Sequence, residues 1–316
     1  MPHKSNAGQL PSFPEFTSVE ISHQNALNQI TLHSLPYSDF LFSNLWIWNT
    51  DGSTLVSELN GNLVVRIFNY DASYFVLTFT GKSQVKETVS ALLSYAKEQP
   101  DLSNQLEYVH DSDIEGLLSD NEFSIVPERH NFDYIIDAAK LADLSGSENQ
   151  RKRNALKKFE ERYENRVTGG RLDLKDSQVR KDILQVFFDW EKSRNKSREE
   201  TEDELIGTQR LLDNFSIFDL FAVGVFIDNK MVGFVISELT SAGYAVLHFE
   251  KADTSHKDIF LYLKQVNARE LTSSGVKYIN YEQDLGIEGL RQSKMLMHPV
   301  RFLKKYTVGF NDSEAK

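Results

Sequence analysis

Two short stretches hold the residue types that move protons and fix charge. In LHFEK, residues 247–251, His248 and Glu250 stand two apart. Side chains alternate along a strand, so these two would share one face, with Phe249 and Lys251 on the other. A base and a carboxylate on one surface form a proton-transfer pairing; an ordinary solvated strand face explains the pair equally well. In YINYEQDLGIEGLRQSK, residues 278–294, Glu282, Asp284, Glu288, Arg291 and Lys294 crowd the join between a β-like segment and a helix-like one. If 276–282 is a strand, Val276, Tyr278, Asn280 and Glu282 share a face and Lys277, Ile279 and Tyr281 the opposite one. A strand end meeting a helix start in an open α/β sheet is where ligands commonly bind. Plain structure accounts for Asp284 as a helix cap and for Glu288 paired with Arg291 at i, i+3. Glu282 and Lys294 are left for function.

Anion binding has its own candidates. RKRNALKK, residues 151–158, has five bases and no acid, and Arg291, Lys294, Arg301, Lys304 and Lys305 fall within 291–305 with no acid among them. Arg151 and Arg153, with the preceding Ser145-Gly146 turn, make the best anion site, and Lys251 joins the set. The same bases read also as an exposed helix face, with Glu160, Glu161 and Glu164 as intrahelical partners. Asp253 or His256 would have to extend His248 and Glu250 into a metal site, and no recognised ligand spacing is present, so no metal is expected. The chain has no cysteine, which removes disulfides, zinc ribbons and thiol nucleophiles. No P-loop, Gly-x-Ser-x-Gly elbow or dinucleotide fingerprint occurs. A formal charge of −11 repels polyanions, so sequence-specific DNA binding is not expected.

The elements that must position these residues follow from periodicity. At 316 residues, 40% hydrophobic and 26% charged, the chain has the composition of a folded globular protein of about two domains. The longest nearly apolar run, IFDLFAVGVFI at 217–227, is far short of the roughly 20 residues of a membrane span. The lead-in MPHKSNAGQLPSFPEF has no apolar signal region, so the expected address is the cytoplasm. Residues 54–80 read as a three-strand meander with turns at Asn60-Gly61 and Asp71-Ala72-Ser73. A helix in QVKETVSALLSYAKEQ, strand LEYVH, short helix DSDIEGLLSD capped by Asp111 or Ser112, and strand FSIVP follow. The second half repeats the order: IFDLFAVGVFI, MVGFVISEL and AGYAVLHFEK as a meander, helix DIFLYLKQVNARELTSSG, strand VKYIN, short helix GIEGLRQSKM and last strand KKYTVGF. Ile-Glu-Gly-Leu occurs at 114–117 and again at 287–290. Between the halves lie strand FDYII, a helix opened by a capping box at Ser147-Glu148-Asn149-Gln150, and helices in SQVRKDILQVFFDWEKSR and EETEDELIGTQRLLDNF. DFLFSNLWIWN is a weaker helical segment near the front. The division is 1–128 and 129–316.

This order resembles the GNAT N-acyltransferase fold, twice in tandem, an α/β class with mixed sheets. A sharper resemblance covers most of the chain: FDYIIDAAKLADLSGSENQRKRNALKKF, LHFEKAD and YINYEQDLGIEGLRQSKMLMHP are similar to signature segments of the uncharacterised bacterial family grouped with the C-terminal domain of phosphatidylglycerol lysyltransferases. The resemblance implies tandem GNAT-like domains, with the site in the second copy. It also implies a superfamily whose studied members move an aminoacyl group from tRNA to an amine or hydroxyl. Members commonly carry lysines after Leu-Ser-Gly, where this chain has Ser147 and Glu148. They also carry a small, glycine-containing segment after Glu-Lys-Ala, where it has Thr254-Ser255-His256-Lys257-Asp258.

Acyl transfer to an amine needs a base, oxyanion donors and a proton source for the leaving group. On the resemblance, the base is Glu250, Glu282 or Asp284 with His248 assisting, Tyr281 is the acid, and Arg291, Lys294 and Arg153 hold donor or acceptor anions. GNAT enzymes hold acyl-CoA pyrophosphate on a glycine-rich loop before a helix. Here the loop ADTSHKDI has no glycine, so the acyl-CoA reading loses ground, while a helix N-terminus that can still accept an anion keeps it alive; the donor expected is acyl-CoA or aminoacyl-tRNA. No other cofactor is expected. The competing expectation is a non-catalytic ligand-binding module that kept the fold.

Overall fold

The structure is a computed structural model and describes residues 8–31, 34–69, 73–240 and 243–311. Asp71 and Ala72 of the expected turn, and Ala242 at the head of the expected third segment, lie outside the described residues, as do the first seven residues of the lead-in. The chain forms two compact units. The first takes the described residues up to Asp133, Gln283–Arg291 and the described residues from Phe302 on; the second takes Tyr134–Glu282 and Gln292–Arg301.

The first unit starts with β1 (Thr17–Ser18), α1 (Gln24–Thr31) and α2 (Phe42–Ile47). The meander β2 (Leu55–Leu59), β3 (Asn62–Asn69) and β4 (Tyr74–Thr80) follows, then α3 (Val85–Glu98), β5 (Leu102–His110), the single turn α4 (Asp111–Ile114) and β6 (Phe123–Pro127). Asn60 and Gly61 both take positive φ, 56° and 79°, which is what a two-residue turn needs to match the twist of its strands. Val89, Leu92, Leu93 and Ala96 of α3 are buried against Leu77, Phe79 and Leu106 of the sheet, the helical spacing turned into one apolar face. The cap of α4 is His110, not Asp111 or Ser112.

The second unit opens with β7 (Asp133–Asp137), α5 (Ala138–Asp143), α6 (Gln150–Tyr163), β8 (Val167–Arg171), α7 (Ser177–Arg194) and α8 (Glu202–Asp213). The second meander is β9 (Leu220–Ile227), β10 (Lys230–Thr240) and β11 (Tyr244–Ala252), followed by α9 (Ile259–Ser273) and β12 (Tyr278–Asn280). Asp228 and Asn229 carry the positive φ pair of the β9–β10 turn, 50° and 64°. Helix α7 packs on β10 and β11, while α9 packs on β8, β9, β10 and α5. The expected capping box is not formed: Ser147–Asn149 make a separate 3-10 turn without a side-chain cap, entered through Gly146 at φ 92°. Strand β8, VTGGR, escapes sequence reading because two glycines lower its β propensity. A Cβ on Gly169 would stand 3.0 Å from the Val266 side chain, so glycine is what lets α9 lie against this strand.

The chain ends with α10 (Glu288–Met295), β13 (Arg301–Leu303) and β14 (Lys305–Phe310). The sheet orders are β1-β2-β3-β4-β5-β14-β6 and β13-β7-β12-β11-β10-β9-β8. KKYTVGF therefore closes not the second sheet but the first, where β14 lies antiparallel between β5 and β6. The first unit secures it with a buried charge. Lys305, fully buried, donates to Asp133 at 2.7 Å and contacts Asp39. Asp133 also accepts from the Ser38 amide at 2.8 Å and hydroxyl at 2.9 Å. Burial pushes the Lys305 ammonium down, but the Asp133 and Asp39 charges outweigh it and hold it above the ordinary lysine value.

Candidate active site

Within the second unit, β11 and β12 pair in parallel only from Tyr244↔Tyr278 to Val246↔Asn280. Strand β11 continues to Ala252, so its second half has no partner on the β12 side. The chain after β12 stays tied to β7 instead, Tyr281 donating to Tyr134 O at 2.9 Å and Tyr134 to Glu282 O at 3.2 Å. A parting of two parallel strands exposes backbone and side-chain polar groups at their carboxyl ends, which is where a ligand is gripped in such sheets.

Strand β11 carries a bulge at the same level. Ile236 pairs with Phe249 and Ser237 with Leu247, so the β10 register skips His248. The extra residue breaks the alternation. The expectation that His248 and Glu250 work as one pair is corrected by this bulge: the two side chains meet different partners. His248 Nε2 lies 3.2 Å from Glu238 of β10, and Nδ1 lies 3.8 Å from Glu282. Glu250 ion-pairs instead with Lys264 of α9.

The imidazole of His248 has a side chain 1% exposed. Burial alone pushes it down, yet the Glu238 and Glu282 carboxylates overcome this and push it up to about 9. At neutral pH it is an imidazolium, unable to accept a proton. Glu282 holds φ 56°, a left-handed conformation uncommon for glutamate. Its amide donates to the buried Asn280 side chain at 2.7 Å, which locks the residue there. Backbone strain of this kind costs about 1–3 kcal/mol and clusters at functional sites.

The second cluster contains two unsatisfied atoms. Glu250 binds Lys264 through Oε1, while its buried Oε2 has no hydrogen-bond partner. Tyr281 is 5% exposed, and its buried hydroxyl has none either. Lys264 Nζ is 6.0 Å from the Tyr281 ring centre. Burial first, then the Glu250 charge, holds the phenol well above its ordinary value, so it remains a proton donor. An unpaired buried polar atom costs about 1–3 kcal/mol, and Glu250 Oε2 and Tyr281 Oη are two such atoms, the carboxylate charge being felt at the phenol. Among these residues, Lys264 and Glu238 escaped sequence reading. Glu238 left a trace, as an acid at the end of an otherwise apolar strand run; Lys264 left none, since a lysine beside the apolar stripe of a helix is ordinary.

The remaining candidates are drawn into structural contacts. Asp284, in the first unit and fully buried, takes a two-pronged ion pair from Arg291, Nε and Nη2 each at 2.9 Å, with Arg129 at 3.4 Å and the Gly286 amide at 2.9 Å. It closes a loop rather than capping α10, and none of its contacts frees it to serve as a base. Arg153 donates to the carbonyls of Leu144 and Gly146 and to Gln150, so it ties the Ser145-Gly146 turn to α6 instead of presenting a fork to an anion. Lys251 pairs with Glu204 at 2.8 Å and lies 3.9 Å from the Trp190 ring centre. Lys294 lies over Tyr134 at 5.8 Å, and Arg151 is exposed. Ser145 and Gly146 line a separate recess of about 130 Å³ with Lys140, Lys152 and Met297.

Several amides of the loop from β11 to α9 are already bonded. Thr254 donates to Ser193 at 3.1 Å, Ser255 to the Asp253 side chain at 2.9 Å, His256 to Asp253 O at 3.2 Å and Ile259 to His256 O at 3.1 Å. Tyr163 hydrogen-bonds His256 at 2.7 Å, and Arg162 donates to Lys257 O at 3.0 Å. Among the described residues no group of three or more His, Asp or Glu could hold a metal ion, and no helix is long and apolar enough to cross a membrane.

Two mixed sheets, each a meander followed by a parallel partner, with a polar strand parting in the second, define a tandem GNAT-like protein with an acyltransferase-like fold. The chain matches the family described as phosphatidylglycerol lysyltransferase, C-terminal, over residues 34–309, and it belongs to that family. A conserved protein of unknown function from Bacteroides thetaiotaomicron is similar at 24% identity and TM-score 0.80, over 96% of this chain and 100% of that one. L-PGS from Bacillus licheniformis is similar at 12% identity and TM-score 0.62, over 97% of this chain and 95% of that one. At these identities the likeness is one of fold. A comparison with curated proteins found no match.

Proposed function

We propose that the second unit transfers an aminoacyl group from an ester donor such as aminoacyl-tRNA to an amine or hydroxyl, at the parting of β11 and β12. The observation that carries this reading is the pair of buried, unpartnered atoms there, Glu250 Oε2 and Tyr281 Oη. Glu250 accepts the proton of the attacking nucleophile through Oε2 while Lys264 fixes its other oxygen. Tyr281, kept protonated, gives its proton to the departing ester oxygen. Glu250 then returns a proton to Tyr281, so the pair is reset without net proton loss. His248 serves as a fixed cation that holds Glu282, not as a base. Glu282 stands 3.8 Å from that cation.

The donor assignment rests on the β11–α9 loop. A pyrophosphate needs free amides at a helix N-terminus, and the named amides of this loop already have partners, with the Asp253 carboxylate drawn onto one of them. That favours a donor other than acyl-CoA. It also favours, as the second reading, a module that binds a ligand without turnover. Incubation of the protein with charged tRNAs and with acyl-CoAs, in the presence of mixed acceptors, separates the two. Transfer from charged tRNA and none from CoA is expected. Failure to bind or deacylate either donor overturns the transferase reading.

A further inference from the structure

We propose that the recess at the Ser145-Gly146 turn binds a small α-amino acid, with its carboxylate on Lys152 and its ammonium on Glu148. The recess lies within the second unit and encloses about 130 Å³. Water takes about 30 Å³ per molecule in the liquid, so the space suits a molecule of a few heavy atoms; drug- and cofactor-sized ligands need about 300–1,000 Å³. Its shape is fixed without a ligand. Arg153 donates to the carbonyls of Leu144 and Gly146, and Asn149, 6% exposed, donates to Ser145 O at 2.8 Å, so three successive carbonyls of the turn are held. Gly146 is required twice over: its φ is 92°, and the Glu148 carboxylate lies where a Cβ would stand. Leu141, Leu144 and Met297, all buried, supply the apolar part of the lining.

Two opposite charges line this recess without a counter-ion. Lys152 is half-buried, and its ammonium gives one N–H to Asn149 Oδ1 at 2.7 Å and one to Leu296 O at 2.5 Å. Both acceptors are neutral, and the third N–H has no partner among the described residues. Burial pushes this ammonium down from the ordinary lysine value, and the Glu148 charge acts the other way. The Glu148 carboxylate has no hydrogen bond or ion pair among the described residues, and neither has the Lys140 ammonium in the same lining.

Lys152 and Glu148 thus sense each other's charge without forming an ion pair, and a zwitterion spans the gap. Its carboxylate takes the spare Lys152 N–H and its ammonium donates to Glu148, each a charge-assisted hydrogen bond. A phosphate would meet Glu148 and Asp137 as like charges, and a bare amine would meet Lys140 and Lys152. None of these side chains is among those assigned to transfer, so occupancy of the recess is readable without a donor and stands or falls apart from the transferase reading.

The test is calorimetry and thermal shift of the full chain at low ionic strength with glycine, alanine and serine, and with acetate, methylamine and inorganic phosphate as the separate halves and the rival anion. The amino acids should bind and raise the melting temperature, with acetate, methylamine and phosphate each at least tenfold weaker. Glu148→Gln breaks no side-chain bond in the fold. It should weaken amino-acid binding at least tenfold while acetate binding holds or improves. Lys152→Gln, checked for an unchanged melting temperature without ligand, should abolish binding of both; where that variant does not fold, the Glu148→Gln result decides. Acetate or phosphate binding as tightly as the amino acids, or amino-acid binding untouched by Glu148→Gln, overturns the inference. Absence of amino-acid binding overturns it outright.

Discussion

Replacement of His248 by Gln tests the electrostatic reading of the site in its most measurable form. The imidazole rises from its ordinary 6.5 to about 9 in the folded chain. Each pH unit of difference between folded and unfolded states corresponds to about 1.4 kcal/mol, so the shift is worth about 3 kcal/mol at most. The folded state holds the proton more tightly than the unfolded one, so the stabilisation is complete below about pH 6.5 and is lost as pH rises to about 9. Gln keeps a hydrogen-bond donor but not the charge, and leaves Glu238 and Glu282 without a cation between them. Urea unfolding of wild type and His248→Gln at intervals from pH 6 to pH 10 reads the difference directly. The wild type should lead most at the acid end, and the gap should shrink by up to about 3 kcal/mol across that window. A gap that is constant with pH, or that widens as pH rises, would refute the assignment of a buried imidazolium. It would also reopen the case for His248 as a base.

Three further outcomes follow from the same geometry. Tyr281→Phe removes a buried hydroxyl that has no partner, so thermal stability should hold or rise, while transfer should fall by about 10²–10⁴-fold; parallel loss of stability and activity would make the residue structural. Lys305→Met leaves Asp133 and Asp39 buried without their counter-charge, and should cost about 3–5 kcal/mol in urea unfolding at pH 7, less at low pH as the carboxyls protonate. A cost below about 1 kcal/mol would contradict the buried triad. Asp284→Ala removes the carboxylate that Arg291 and Arg129 share, but these are 34% and 39% exposed and can turn to water. Its cost should be smaller, about 1–3 kcal/mol, with aminoacyl transfer retained; abolished transfer in a well-folded variant would restore Asp284 as a base candidate.

Amino-acid order alone determined the elements that depend on local physics. The periodicity of Val89, Leu92, Leu93 and Ala96 makes α3 whatever it packs on, and Asn60-Gly61 and Asp228-Asn229 turn because their types tolerate positive φ. The tandem order of strands and helices, and with it the family, was legible for the same reason, and charged residues at a strand end are visible in one dimension. Which of those residues act together was not legible. The bulge that parts His248 from Glu250 arises from pairing with β10, and the partner that fixes Glu250 is Lys264, fourteen residues on and on another element. The place of KKYTVGF was likewise hidden. An alternating strand fits either sheet, and only the buried partners Asp133 and Asp39, far away in sequence, make the first one the home of Lys305. Periodicity is a property of neighbours along the chain, whereas charge compensation and register are properties of neighbours in space, and only the folded chain brings those together.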